Sequence, residues 1–163
     1  MTVQLRLWGG CCIAPAVDGV PVDPEGPELF TVGYEGQELG LFLSTLKLRG
    51  IRRIVDVREL PLSRRKGFSK TPLREALADA GIEYVHLRAA GNPHRALKMD
   101  PVRCLAAYSK HLAAHPEVVT LVDQALAGAR SALLCFEADH RTCHRSVIAG
   151  ALVAARHRSV VNL

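Results

Sequence analysis

The sequence has 163 residues, of which 48% are hydrophobic and 23% are charged, and its formal net charge is +5. These values suit one soluble globular domain and exclude a fibrous or wholly disordered chain. No apolar run reaches the ~20 residues of a membrane helix, and the first ten residues make a poor signal peptide, so we expect a cytoplasmic protein. Five cysteines are an odd number in a chain large enough to fold without cross-links, which argues against disulfides.

Residues 1–28 differ in composition from the rest of the chain. They contain four prolines, four acidic residues and the pair Cys11-Cys12, and we predict an irregular N-terminal extension there. From Leu29 onward, short apolar runs alternate with apolar residues at helical spacing. This alternation predicts a single α/β domain over residues 29–163.

The predicted strands are short runs of branched and aromatic residues, and helices are predicted between them from apolar residues spaced three and four apart. The strands cover residues 29–33, 53–58, 83–87, 131–136 and 160–161. The helices cover residues 39–50, 72–80 with Thr71 as the N-cap, 105–112, 118–126 and about 142–156. We therefore predict a three-layer, Rossmann-like α/β sandwich. It has a mostly parallel sheet of four or five strands and helices on both faces.

Polar residues follow the first two predicted strands at their carboxyl ends, where parallel α/β folds bind ligands. The first strand leads into Gly33 and Tyr34, and Gly33 would let the backbone approach a ligand closely. Asp56 and Arg58 end the second strand and share one of its faces, since they are two residues apart. They form either a structural ion pair or a carboxylate and guanidinium that position a substrate.

A second polar group follows the fourth predicted strand. Cys135 and Glu137 share a strand face, and Cys143, His144 and Arg145 open the last helix. The N-terminus of that helix favours an anion, to which Arg145 would add a guanidinium. A thiol there has a lowered pKa, so Cys143 is a candidate nucleophile and His144 a candidate general acid or base. The alternatives are a small core cysteine and a buried, hydrogen-bonded histidine. If the first strand is central, both groups converge around Gly33.

The segment from Lys47 to Arg74 is strongly basic. It holds ten basic residues against the two acids Asp56 and Glu59. Such a segment raises the local concentration of anionic ligands, although it is equally consistent with a solvated helix end and loop. Ser63 and Arg64 lie within it as further candidates for anion binding.

Five short motifs occur along the chain in a fixed order. They are Thr31-Val-Gly-Tyr34, Asp56-Val-Arg58 followed by Pro61 and Ser63-Arg64, Gly67-Phe-Ser69, Gly81-Ile-Glu-Tyr84, and Leu134-Cys-Phe-Glu137 with Cys143-His-Arg145. Over residues 30–153 this order resembles the bacterial and archaeal family called domain of unknown function number 488. The resemblance implies an α/β fold and points to the same polar positions, but it implies no particular reaction.

The leading hypothesis is an enzyme, a hydrolase or transferase, that acts on a phosphate-bearing, nucleotide-like small molecule. The candidate catalytic residues are Asp56, Glu137, His144 and Cys143. The candidate residues for substrate or anion binding are Gly33, Tyr34, Arg58, Ser63, Arg64 and Arg145.

Three alternatives remain open. The first is a nucleic-acid-binding module that uses the segment Lys47–Arg74. The second is a thiol enzyme of the rhodanese or dual-specificity phosphatase kind, in which Cys135 and Arg141 cradle an anion. The third is a zinc site made by Cys135, Cys143 and either His140 or His144, although the leading hypothesis needs no cofactor.

Overall fold

A computed structural model of the chain describes residues 28–97, 100–156 and 159–163. The predicted extension therefore lies outside the described residues, apart from Glu28, which pairs with Arg130 at 2.9 Å. Within the described part of the chain, no helix is long and apolar enough to cross a membrane.

Five strands form where the sequence pattern predicts them. They are β1 (Leu29–Gly33), β2 (Arg53–Asp56), β3 (Glu83–His86), β4 (Ser131–Cys135) and β5 (Val160–Asn162). The second, third and fourth strands end one or two residues earlier than predicted, because the polar residues at their ends turn into the connecting loops.

Five helices connect the strands. They are α1 (Leu39–Leu48), α2 (Lys70–Asp79), α3 (Pro101–Ala114), α4 (Pro116–Leu126) and α5 (His144–Arg156). Short 3-10 turns lie at Arg88–Ala90, Arg95–Leu97 and His140–Thr142. The final helix was predicted to begin at about residue 142. That residue lies in the turn His140–Thr142, and α5 begins two residues later, at His144.

The N-cap predicted for the second helix is wrong by two residues, since α2 follows Ser69 rather than Thr71. The Ser69 hydroxyl does not cap the helix. It donates to the carbonyl oxygen of Ser63 at 3.1 Å and accepts from the Ser63 amide at 3.0 Å. Pro72 is tolerated inside the helix because the first-turn amides have no helical acceptor.

All five strands are parallel, in the order β3-β2-β4-β1-β5. The central strand is therefore β4 and not β1, and β1 lies between β4 and β5. The chain moves in one direction across the sheet from β1 through β2 to β3, and in the other from β4 to β5. Because parallel crossovers are right-handed, this reversal places the helices that follow β1 and β2 on one face and those that follow β3 and β4 on the other.

The two faces of the sheet each carry one hydrophobic core. On the first, α1 and α2 pack buried side chains such as Phe42, Leu46 and Leu77 against the sheet. On the second, α3, α4 and α5 do the same with side chains such as Val122 and Ile148. The predicted three-layer α/β sandwich is thereby confirmed, with five strands.

Candidate functional site

Adjacent strands β1 and β4 mark the point where the strand order reverses. The loop after β1 leads into α1 on the first face, whereas the loop after β4 leads towards α5 on the second. Loops that leave in opposite directions open a crevice at the carboxyl edge of the sheet, the usual ligand position in such folds. The predicted site residues are distributed around this crevice.

The structure does not bring the two predicted groups together around Gly33. Asp56 pairs in register with Leu134, and Gly33 pairs with Cys135. Since paired residues on neighbouring strands point to the same face, Asp56 and Cys135 point to opposite faces. The expectation of one converging cluster is corrected to two groups, one on each side of the sheet.

On the first face, Asp56 and Arg58 form a buried ion pair. The Arg58 Nη2 lies 2.6 Å from Asp56 Oδ2, and its Nε lies 2.8 Å from Oδ1. Arg58 also donates to the Tyr34 hydroxyl at 2.8 Å and to the Phe68 carbonyl at 2.9 Å. The Tyr84 hydroxyl donates to Asp56 Oδ2 at 2.6 Å. These contacts satisfy both charged groups within the protein. They agree with the first of the two alternatives drawn from the sequence, a structural ion pair.

Charge and burial in this network shift two pKa values. The pKa of Arg58 lies above its ordinary value, because the hydrogen bonds and charge of Asp56 outweigh the opposing effect of burial. Burial, together with the Asp56 charge, raises the pKa of Tyr84. Arg58 therefore keeps its charge, and Tyr84 its proton, across the physiological range.

Gly33 and Arg145 both support the loop that follows β4. A side chain at Gly33 would overlap the carbonyl oxygen of Glu137, so the close approach that this glycine permits is to the chain's own backbone. Arg145 is 1% exposed and donates from Nη1 to Glu137 O at 2.5 Å and from Nη2 to Ala138 O at 3.0 Å. Its guanidinium therefore faces backbone carbonyls and fixes the position of Glu137.

On the second face, two cysteines and a histidine meet beneath Glu137. The Cys135 Sγ lies 3.7 Å and the Cys143 Sγ 3.9 Å from His144 Nδ1. The other ring nitrogen of His144, Nε2, lies 2.9 Å from the Val57 carbonyl oxygen. Cys135 also donates to Glu137 Oε2 at 3.1 Å. We call these four side chains, Cys135, Glu137, Cys143 and His144, the thiol–histidine cluster.

The environment of the thiol–histidine cluster shifts three pKa values. Burial raises the pKa of Cys143, contrary to the lowered value expected for a thiol at a helix N-terminus. Burial would also lower the pKa of His144, but its interactions with Cys143 outweigh this and raise it. For Glu137, burial is outweighed by hydrogen bonds from Cys135, its own amide and Cys143, and its pKa falls. Cys143 is therefore a poor free nucleophile in this form, whereas Glu137 is ionised.

An open pocket of about 570 Å³ lies in the crevice on the first face. Its walls come from the loop after β1, the loop after β2 and the turn after β3, and its floor includes Tyr34 and Phe136. The polar residues that line it are Glu35, Ser63, Arg64, Arg65 and Arg95. We call this the arginine pocket. It contains Tyr34, Ser63 and Arg64 from the predicted set, but not Asp56, Arg58 or Arg145.

Arg95 was not among the residues predicted from the sequence. It lines the arginine pocket and lies close enough to Glu137 to help lower the pKa of that carboxyl group. Its guanidinium is 6.0 Å from the ring centre of Phe136. Arg65, also missed, donates to the Gln37 carbonyl at 2.7 Å. Arg95 lies in the connection after β3, so the rule that ligands bind beyond the carboxyl ends of strands could have identified it.

The basic segment Lys47–Arg74 does not form one surface. Helix α1 returns the chain to the amino edge of the sheet, so Lys47, Arg49 and Arg52 lie there, whereas Arg64 and Lys66 lie beyond the carboxyl end of β2. The four residues of β2 alone separate the two groups by roughly 13 Å. The most basic stretch of the sequence is therefore divided between opposite edges.

The geometry also bears on two of the alternatives, the thiol enzyme and the zinc site. Arg141 is exposed and pairs with Asp139 at 3.0 Å, while Cys135 is buried against Glu137 and His144. This geometry gives no support to an anion cradle shared by Cys135 and Arg141. Among the two histidines considered for zinc, it is His144 that joins the cysteines in the described part of the chain.

A comparison with known families finds one match. A family model described as "Domain of unknown function DUF488" matches residues 38–152. The matched range includes the whole thiol–histidine cluster. It also includes the arginine pocket, except for the pocket residues in the loop after β1. No curated protein and no solved structure matches the chain.

Proposed function

The chain belongs to the family described as Domain of unknown function DUF488, and because that description names no reaction, we propose a function from the site itself. We propose an enzyme that binds a phosphate-bearing, nucleotide-like small molecule in the arginine pocket and transfers or hydrolyses a group there. The proposal retains the class of function expected from the sequence. It retains Arg64 as an anion contact and replaces Arg58 and Arg145 by Arg65 and Arg95.

The observation that carries the proposal is the presence of three arginines, Arg64, Arg65 and Arg95, in the lining of one pocket at the strand-order reversal. Guanidinium groups recognise phosphate through paired, charge-assisted hydrogen bonds. Arg64 and Arg95 are exposed, and Ser63 adds a hydroxyl beside them. A phosphate held by these side chains would leave the rest of the ligand against Phe136, which is half-buried in the pocket lining.

The aromatic floor supports a ligand with a flat ring. Tyr34 stacks on Phe68 with the ring centres 4.4 Å apart, and Phe136 packs edge-on against Tyr34 at 5.4 Å. Because Tyr34 is only 1% exposed, the ring surface open to a nucleobase is that of the half-buried Phe136, which Tyr34 supports from below. Nucleobases stack on aromatic side chains with little sequence preference. This is the reason for preferring a nucleotide to inorganic phosphate.

Glu137 is the candidate general base. Its carboxylate is ionised, and its position at the loop after β4 is fixed by Arg145. Arg95 connects it with the pocket, since this arginine both lines the pocket and acts on the charge of Glu137. Asp56, by contrast, has its carboxylate occupied by Arg58 and Tyr84 and is better suited to holding the floor of the pocket in place.

The test is ligand-induced thermal stabilisation of the full chain, measured at low and high salt. The panel contains inorganic phosphate, nucleosides, mono- and dinucleotides, and short single- and double-stranded oligonucleotides. A ligand at 100 times its Kd stabilises by about 2.7 kcal/mol, or roughly 5–10 °C for a domain of this size. We expect such a shift with a mononucleotide or dinucleotide. Salt should reduce it without abolishing it, because screening weakens the contacts of the exposed arginines but not the apolar contact with Phe136.

Variants Arg64→Ala and Arg95→Ala should each weaken binding about 10–100-fold, the usual contribution of a hydrogen bond to a charged group. Arg74→Ala is the matched control, since Arg74 is an exposed arginine on α2 outside the pocket. Equal effects in all three variants would reduce the role of the pocket to general charge attraction. A shift with oligonucleotides alone, lost in salt, would favour the nucleic-acid-binding alternative, and no shift with any ligand would overturn both.

A further inference from the structure

Three soft or borderline donor atoms converge on the second face of the sheet. The Sγ atoms of Cys135 and Cys143 and a ring nitrogen of His144 all lie within 4.8 Å of one another. The three residues are 2%, 1% and 6% exposed. They come from two rigid elements, the end of β4 and the start of α5, joined by a short turn. The loop and helix thus bring together two thiols that are eight positions apart in the sequence.

The orientation of His144 leaves its Nδ1 lone pair directed at the thiols. A carbonyl oxygen can only accept, so the 2.9 Å contact with Val57 requires the proton to be on Nε2. In the neutral ring, Nδ1 is then the free acceptor, and it is the atom that lies nearest both sulfurs. Histidines that bind metals usually donate their other ring nitrogen to a carbonyl or carboxylate in this way.

The separations of these donors fit tetrahedral zinc. With zinc–sulfur and zinc–nitrogen bonds of about 2.3 and 2.05 Å, a tetrahedral angle places sulfur and nitrogen about 3.6 Å apart. The two observed distances from His144 Nδ1 are 3.7 and 3.9 Å. Small adjustments of side-chain angles would therefore suffice, with no movement of β4 or α5.

Charge balance also favours a divalent ion. Two thiolates neutralise Zn²⁺, so a buried complex with a neutral imidazole has no net charge, which avoids the high cost of a buried unpaired ion. Glu137 is half-buried at the edge of the cluster and accepts a hydrogen bond from the Cys135 thiol at 3.1 Å, so its carboxylate lies beside one of the three donors.

We propose that Cys135, Cys143 and His144 bind a zinc ion, with Glu137 beside the fourth coordination position. The set of two thiolates and one imidazole is typical of zinc sites that keep one position for water or substrate. The proposal stands on donor geometry and does not depend on whether the arginine pocket binds a nucleotide. The site lies next to that pocket, because Arg95 acts on both Phe136 and Glu137.

The test uses Co²⁺ as a spectroscopic substitute for zinc in the full chain under reducing, metal-free conditions. The starting protein carries Cys11→Ser and Cys12→Ser, so that these two thiols cannot contribute. One equivalent of Co²⁺ should produce thiolate-to-cobalt charge-transfer absorption and visible bands of a tetrahedral ion. One equivalent of Zn²⁺ should remove both, and competition with a chromophoric chelator then measures the zinc affinity.

The variants Cys135→Ser and Cys143→Ser should lose more than about 100-fold in zinc affinity, since even changes outside the ligand shell cost 10–100-fold. Cys104→Ser is the matched control, because Cys104 is a free cysteine outside the cluster and should leave affinity unchanged. Circular dichroism establishes that each variant is folded. If the starting protein gives no cobalt spectrum, the proposal is overturned before any ligand variant is made. It is also overturned if Cys135→Ser and Cys104→Ser lower the zinc affinity equally.

This experiment separates the metal site from the proposed function. Arg64→Ala and Arg95→Ala should keep the cobalt spectrum, while they weaken nucleotide binding. If the protein with Arg64 and Arg95 intact gives the cobalt spectrum but binds no nucleotide, only the anion site is overturned. If it binds a nucleotide but gives no cobalt spectrum, only the zinc site is overturned.

Discussion

Asp56 and Arg58 lie two residues apart at the end of β2, and each charge is buried only because the other is present. Their spacing was enough to predict a shared face, since alternate residues of a strand point the same way. What the spacing could not decide was whether a ligand or the protein would use them. The Tyr34 hydroxyl, the Phe68 carbonyl and the Tyr84 hydroxyl decide it in favour of the protein.

Replacing Asp56 by alanine should destabilise the fold more than it changes ligand contacts. The substitution leaves the Arg58 guanidinium buried and unpaired, which costs about 3–5 kcal/mol. Equilibrium unfolding in urea measures this. Glu83→Ala is the control, because Glu83 pairs with Arg53 at 2.7 Å but is 55% exposed, and such surface pairs contribute about 0.2–1 kcal/mol. If Asp56→Ala were as mild as Glu83→Ala, Asp56 would return as a candidate for the chemistry.

Strand β1 and the loop after β4 contact each other so closely that one position admits only glycine. Gly33 ends β1, pairs with Cys135, and lies against the backbone of Glu137 and Ala138. The sequence marked this glycine as a point of close approach but suggested a ligand as its neighbour. The actual neighbour is the loop that carries Glu137, and Arg145 holds that loop from its other side.

The variant Gly33→Ala should therefore displace the loop after β4. Overlap of the new methyl group with the Glu137 carbonyl should cost about 1–3 kcal/mol in unfolding free energy, the range for overpacked positions. Gly150→Ala provides the comparison, since nothing lies near a side chain at this exposed position in α5 and a helical alanine gains roughly 0.5–1 kcal/mol. Urea unfolding of both proteins should give shifts of opposite sign. A stable Gly33→Ala protein would mean that the loop moves freely.

At the scale of the whole molecule, two tyrosine hydroxyls, one half-buried and one buried, join segments that are distant in sequence. Tyr84 on β3 donates to Asp56, and Tyr108 on α3 donates to the Ala90 carbonyl at 2.8 Å. Burial raises the pKa of both hydroxyls above the ordinary value. In the unfolded chain these groups ionise near pH 10, whereas in the folded chain they stay protonated to higher pH.

Stability should consequently decline with pH above about 10. The unfolded state then binds fewer protons than the folded state, so each tyrosine lowers the unfolding free energy by up to about 1.4 kcal/mol per pH unit. Below pH 10 the contribution is fully present. Urea unfolding at several alkaline pH values should show a shallower decline for Tyr108→Phe than for the unchanged protein. Parallel declines would show that Tyr108 ionises as readily in the folded chain as in the unfolded one.

The sequence by itself determined the local properties of this protein. Strand and helix order, the three-layer class, the shared face of Asp56 and Arg58, and that of Cys135 and Glu137 all follow from spacing over a few residues. Helix starts were less certain. At α2, for example, the Ser69 hydroxyl bonds to Ser63 across a loop, and no pattern within the helix reports such a contact.

Only the tertiary structure decided which residues meet. The central position of β4 depends on crossovers between distant segments, and the β2–β4 register then directs Asp56 and Cys135 to opposite faces. Burial likewise keeps Arg58 and Arg145 out of the arginine pocket, whereas Arg95, from a different loop, lines it. Spacing along the chain specifies periodicity, whereas burial and strand order come from packing between residues far apart in sequence. The fold class was therefore readable from the sequence, and the composition of the two sites was not.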